Sequence, residues 1–154
     1  MKYGSIDGAV TTKGFEKWIE CTSFQWGVGR AIGSAARGLE SREHSEPSIS
    51  EVNITKLADK ASPKLFQDAV GGDLSSTVKF KFTTTTKDAV DTFLEFELEN
   101  TGLSGYSVNS GGDMPSEHLT LNFTKVIWSY TGRDAKVGGS PDKVGYDLTQ
   151  MAKV

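Results

Sequence analysis

Cys21, His44, His118, the alternating row Glu95, Glu97 and Glu99, and the glycine run from Gly27 to Gly33 are the parts of this sequence whose residue types could do chemistry. Structural zinc needs four ligands, and neither histidine has a Cys, Asp or Glu set at metal-ligand spacing, so no metal and no cofactor is expected. His118 stands beside Glu117 at the start of a strand-like run, where neighbours point to opposite faces, so the two are not a preformed acid and base. The three glutamates could imitate the carboxylate pair of a glycosidase. They alternate with Leu94, Phe96 and Leu98, however, while Val78, Phe80 and Phe82 alternate with Lys79 and Lys81, and the two runs read as one antiparallel hairpin with a charged, solvated side. Gly27-Val-Gly29-Arg-Ala-Ile-Gly33 has the spacing G-x-G-x-x-x-G and no strand-helix-strand unit around it, unlike a dinucleotide loop. Cys21 shares a strand face with Ile19 and reads as a core residue rather than a nucleophile. Asn53-Ile-Thr55 and Asn122-Phe-Thr124 match the glycosylation tripeptide by chance, both lying inside strand-like runs. No enzyme is expected.

The elements that must position these residues are mostly strands. Trp18, Thr22, Phe24 and Trp26 alternate with Ser23 and Gln25, which predicts a strand whose aromatic face enters the core. Leu119, Leu121 and Phe123 are apolar at odd positions, but beyond Lys125 the larger apolar residues shift to Val126, Trp128 and Tyr130, as a bulge or a change of burial would produce. Shorter strands are expected at Tyr3 to Asp7, Ile49 to Leu57, Tyr106 to Ser110 and Val144 to Leu148, each bounded by Gly, Pro, Ser or Asp. One segment reads as helix: Ser62 as N-cap, Pro63 at the first helical position, Leu65, Phe66, Ala69 and Val70 on one stripe, and Gly71-Gly72 as the stop. Its polar face would carry Lys64, Gln67 and Asp68. Gly27 to Pro47 has no sustained period and reads as a long exposed loop. The expected fold is mainly β: an antiparallel β-barrel of about eight strands, closed or nearly so, with one α-helix packed outside and a long exposed loop.

Length and charge narrow the function. A chain of 154 residues fits one domain over 1–154. Seventeen Lys plus Arg against 20 Asp plus Glu, with no basic block, disfavour a nucleic-acid partner. The longest apolar runs are only a few residues, so no membrane insertion is expected, and Met1 to Gly8 lacks the apolar core of a Sec-type signal. A single cysteine leaves the core to packing alone, as suits a reducing compartment.

Several runs carry a resemblance. Lys17-Trp-Ile-Glu-Cys-Thr-Ser-Phe-Gln-Trp-Gly-Val-Gly29, Ser48-Ile-Ser-Glu-Val-Asn-Ile-Thr-Lys56, Asp59-Lys-Ala-Ser-Pro-Lys-Leu-Phe66, Glu97-Leu-Glu-Asn-Thr-Gly-Leu-Ser-Gly-Tyr-Ser-Val108, Ser110-Gly-Gly-Asp, Leu119-Thr-Leu-Asn-Phe-Thr-Lys125 and Val144-Gly-Tyr-Asp147 follow one another as in the Hcp family, the tube proteins of type VI secretion systems, and the sequence resembles that family over nearly its whole length. The resemblance implies six-membered rings that stack into a hollow tube, a contractile sheath around it, a VgrG-type spike at its tip and effector proteins carried in its lumen. It further implies a protein made in the cytoplasm and expelled to the outside by the machine itself, without a signal peptide. Residue by residue, it turns Ser23 and Gln25 toward the lumen and cargo. The loop Ala35 to Pro47, with Arg37, Glu40, Arg42 and Glu46, would reach a neighbouring copy, and Lys64, Gln67 and Asp68 of the helix would face the sheath. The rivals are a small-ligand-binding β-barrel, against which the bulky Trp18, Phe24, Trp26, Phe80, Phe82 and Phe96 argue by filling the interior, and the tail tube protein of a contractile phage.

Overall fold

A computed structural model describes residues 1–32, 45–87, 89–132 and 141–154. Its strands in chain order are β1 (Lys2–Tyr3), β2 (Ser23–Gln25), β3 (Val28–Gly29), β4 (Ser48–Ile49) and β5 (Val52–Leu57), then, after helix α1 (Ser62–Gly71), β6 (Ser76–Thr85), β7 (Val90–Asn109), β8 (Ser116–Asn122), β9 (Lys125–Tyr130), β10 (Asp142–Asp147) and β11 (Ala152–Lys153). Nine of them form one curled antiparallel sheet in the order β11-β10-β9-β7-β8-β5-β2, with β6 added on β7 and β1 on β6, while β3 and β4 pair separately. The mainly-β, antiparallel, one-helix expectation holds, and the barrel takes the form of a half-barrel.

The strand β7 explains the curl. Its first half pairs with β6 and β9, and its second half pairs with β8. Between the halves Asn100 takes a left-handed backbone (φ 51°) and its Nδ2 donates to Thr124 Oγ1 at 2.8 Å, so the strand bends where the chain between β8 and β9 turns. Two wings result, one built on β6, β9 and β10 and one on β8, β5 and β2. Phe24 of the second wing closes on the first, with ring centroids 4.9 Å from both Phe80 and Phe96. Leu65, Leu98, Leu121, Val52 and Val78 fill the space behind them without exposure. Burial of such side chains is the main stabilising term, about 1.5–3 kcal/mol each.

The hairpin is paired as the alternation predicts: Val78, Phe80 and Phe82 stand opposite Leu98, Phe96 and Leu94, and Lys79 and Lys81 opposite Glu97 and Glu95. Other expectations are corrected. Tyr106 to Ser110 is no separate strand but mostly the second half of β7. The phase change at Lys125 is a corner: Phe123 and Thr124 separate β8 from β9, and the chain crosses from one wing to the other. Only Ser23–Gln25 of the Trp18 to Trp26 run is strand. Lys17 has a left-handed backbone (φ 65°), which resets the alternation, so Ile19 is buried while Trp18 lies half-buried at the rim, edge-on to Phe15 and beneath the Lys81 ammonium. In the helix, Leu65 is buried but Phe66 and Val70 are exposed, because the buried stripe is narrower than the apolar one. Ala61, not Ser62, occupies the cap position, and the Ser62 hydroxyl is engaged elsewhere.

Candidate functional site

The wing of β2, β5, β8 and the second half of β7 presents one face away from the core. Register aligns two rows of four across it: Gln25, Asn53, Thr120 and Gly105, then Ser23, Thr55, His118 and Ser107. None of these positions carries Lys, Arg, Asp or Glu. Side-chain hydrogen bonds run along each row: Thr120 Oγ1 donates to Asn53 Oδ1 at 2.9 Å, and Thr55 Oγ1 and His118 Nδ1 lie 3.1 Å apart. Ser23, Gln25, Asn53, His118 and Ser107 are exposed. Such a face offers uncharged donors and acceptors that surrender their water more readily than ions do.

Directly behind it, on the core side of the same strands, sits a buried charged cluster. Lys56 is fully buried and opposes Glu117, which is 2% exposed. Lys56 Nζ donates to Glu117 Oε2 at 2.7 Å, to Leu57 O at 2.8 Å and to Ser62 Oγ at 3.3 Å, and pairs with Asp59 Oδ1 at 2.9 Å. Tyr106 Oη donates to the other Glu117 oxygen at 2.6 Å. Burial alone would raise the Glu117 carboxyl, but the hydrogen bonds from Lys56 and Tyr106 outweigh it and hold the group below its ordinary value. The Tyr106 phenol is pushed up to about 12, by burial first and then by its bond to Glu117. The Asp59 carboxylate also accepts from the Ala61 amide at 2.9 Å, and Ser62 Oγ accepts from the Asp59 amide, so the cluster fixes the turn that starts α1.

The sequence did not single out this cluster, although its signal was present. Lys56 continues the apolar parity of Val52 and Ile54, and Glu117 continues that of Leu119 and Leu121, so each strand buries one charge of opposite sign. Glu117 and His118 do point to opposite faces.

Ser23 and Gln25 stand together on the neutral face at its β2 edge. Lys64 and Gln67 are exposed on α1. Asp68 is not on that solvated side: it is half-buried, accepting from Tyr3 Oη at 2.6 Å and from the Leu103 amide at 3.3 Å, and so ties α1 to β1 and β7. Arg37, Glu40, Arg42 and His44 lie outside the described residues, and Glu46 is exposed just beyond them. Cys21 is half-buried against the core with its thiol pushed up by burial, the state of a packing residue. Among the described residues no group of three or more His, Cys, Asp or Glu converges as metal ligands would, and no helix is long and apolar enough to cross a membrane.

At the opposite edge, an apolar cross-strand row runs out of the core through Phe80, Phe96, Trp128 and Val144, and its exposure climbs from 3% and 6% to 42% and 59%. Trp128 stacks on Phe96 with ring planes 7° apart.

Residues 1–130 match the family model described as "Type VI secretion system effector, Hcp". No curated protein matches the chain. Among solved structures, a type six secretion system protein is similar at 27% identity and a TM-score of 0.87, over 99% of this chain and 96% of that one. A type VI secretion system effector from Yersinia pestis is similar at 19% identity and 0.72, over 95% and 96%. Hcp1 from Salmonella typhimurium aligns over 100% of both chains at 19% identity and 0.69.

Proposed function

Since the chain belongs to the Hcp family of type VI secretion tube proteins, we propose that it acts as one unit over residues 1–154, forming six-membered rings that stack into the inner tube which a contractile sheath expels. The role is structural rather than catalytic. The observation that carries self-assembly is the apolar row ending in Trp128 and Val144, since monomers rarely leave a continuous apolar strip running from the core out to half-exposed positions near the rim of the sheet. The neutral face with Ser23 and Gln25 forms the lumen wall against which effector proteins travel. Lys64 and Gln67 face the sheath, and the segment bearing Arg37, Glu40, Arg42 and Glu46 reaches the next copy. A VgrG-type spike caps the tube, and the protein is made in the cytoplasm and leaves the cell by this route.

Light scattering with negative-stain images of the same fraction tests the assembly: six copies in a ring with an open hole are expected. Trp128→Glu should shift the population toward smaller species. A wild-type monomer at high concentration would overturn the ring reading and favour a ligand-binding barrel. For the lumen wall, Gln25→Ala should weaken retention of co-expressed cargo, and undiminished retention removes Gln25 from that wall.

A further inference from the structure

An unbroken line of polar contacts runs from the start of α1 into the sheet. Ser62 Oγ receives Lys56 Nζ at 3.3 Å, and the same ammonium donates to Glu117 at 2.7 Å. Lys56 and Glu117 are the chain neighbours of Thr55 and His118, which stand opposite each other one register step away, on the other face of the same two strands. The Thr55 hydroxyl and the His118 ring nitrogen are 3.1 Å apart. One pair of strands thus carries a buried ionic contact on one side and a hydroxyl–imidazole contact on the other, in consecutive positions.

We infer that the Lys56–Glu117 pair is a positioning unit that couples the start of α1 to the Thr55–His118 contact on the opposite face, so that a change in hydrogen bonding at Ser62 is felt at His118. The physical reason is the geometry of the pair. A short ion pair shielded from water resists relative sliding of β5 and β8 far more than a solvated one, and successive side chains on a strand move with one backbone. Lys56 also takes its partners from the end of its own strand, from Asp59, from α1 and from β8, so no one of these shifts without moving the ammonium. A second polar tie of the helix, Asp68, reaches Tyr3 and Leu103 instead. Reading the coupling as a link between the sheath side and the lumen side rests on the proposed function; the coupling itself does not.

The test uses the full chain with isotope-labelled histidine and follows the His118 imidazole resonance at fixed pH, assigned by its loss in His118→Asn. Ser62→Ala should move the resonance by more than its line width, Ser62→Thr should bring it back, and Lys64→Ala on the same helix should leave it in place. In the Lys56→Met, Glu117→Leu background, Ser62→Ala should no longer move it, which is the signature of a shared intermediary. An unmoved resonance in the first variant, or an equal shift with and without the ion pair, overturns the inference. Light scattering on the same samples separates the two readings. A monomeric wild type refutes the ring while the His118 shift still reports the coupling, and intact rings with an unmoved resonance refute the coupling alone.

Discussion

Four lysine–glutamate pairs stand directly opposite each other on neighbouring strands among the described residues, and they fall in two regions. Lys79–Glu97, Lys81–Glu95 and Lys125–Glu99 cross the outer face of the β6–β7–β9 wing at 3.1 to 3.4 Å, with every side chain at least partly wet. Lys56–Glu117 crosses the core side of the other wing at 2.7 Å with both side chains dry. The pairing and the cross-strand arrangement are the same, but the dry pair has lost its water and gained Asp59, Ser62 and Tyr106 as further partners. On the wet face water competes with each contact, so the row adds solubility and a little register. In the dry one no water makes up for a lost partner, so removing one charge leaves the other buried with only Asp59 or Tyr106 and neutral oxygens to hold it.

The sharpest way to break this comparison is to remove one member of the dry pair. Glu117→Ala should lower the unfolding free energy by at most about 3–5 kcal/mol, because it takes from a buried ammonium its shortest contact and leaves it Asp59 and two neutral oxygens, and chemical denaturation reads this directly. A loss no greater than that of an outer pair would show that water reaches the cluster. Replacing both, Lys56→Met with Glu117→Leu, should recover most of that loss or exceed the wild type, by roughly 1–4 kcal/mol at most, since no fully buried charge remains and the partly exposed Asp59 keeps the Ala61 amide.

Acid should separate the regions next. The Glu117 carboxyl sits below its ordinary value of 4.5 in the folded protein, so its contribution is present above that pH and is lost as pH falls through the lowered value. The stability difference between wild type and Glu117→Gln should therefore shrink under strongly acid conditions, and a constant gap down to full acid unfolding would contradict it. Tyr106 works in the opposite direction: its raised value contributes stability below the ordinary 10.0 that fades as pH climbs toward 12. Tyr106→Phe should remove its share of the alkaline loss and leave that of the buried Tyr3 phenol, which burial and its bond to Asp68 also raise. Smallest of all, Lys79→Ala or Lys81→Ala should cost about 0.2–1 kcal/mol and the effect should fade with added salt, as screening requires.

Much of the architecture was legible because alternation survives wherever a strand has one wet and one dry side. The β6–β7 hairpin follows Val78, Phe80 and Phe82 against Leu94, Phe96 and Leu98 residue for residue. Alternation fails where the backbone resets its phase, as at Lys17, or where a chain turns a corner between wings, as at Phe123 and Thr124. It also cannot join two runs through a bend, so the halves of β7 on either side of Asn100 look like separate strands. Of the site, Ser23 and Gln25 were readable from their parity, whereas Lys56 and Glu117 were not. A charge on the apolar parity of a strand looks like an irregularity until a second, opposite one is brought against it by register, and register between distant strands is a tertiary fact. Asp68 escaped for a related reason: its partners Tyr3 and Leu103 lie far off in sequence.

The twenty residues of β7 belong to both wings at once. Neither wing can peel away while its share of that strand remains hydrogen-bonded to the other, so the molecule has no weak seam along which to open in halves. Amide hydrogens at the centre of β7 should be the slowest to exchange with solvent, at a rate set by loss of the whole fold rather than by local fraying. On the proposed role in an expelled tube, such indivisibility would matter under load: a force applied to either wing is shared through one continuous backbone.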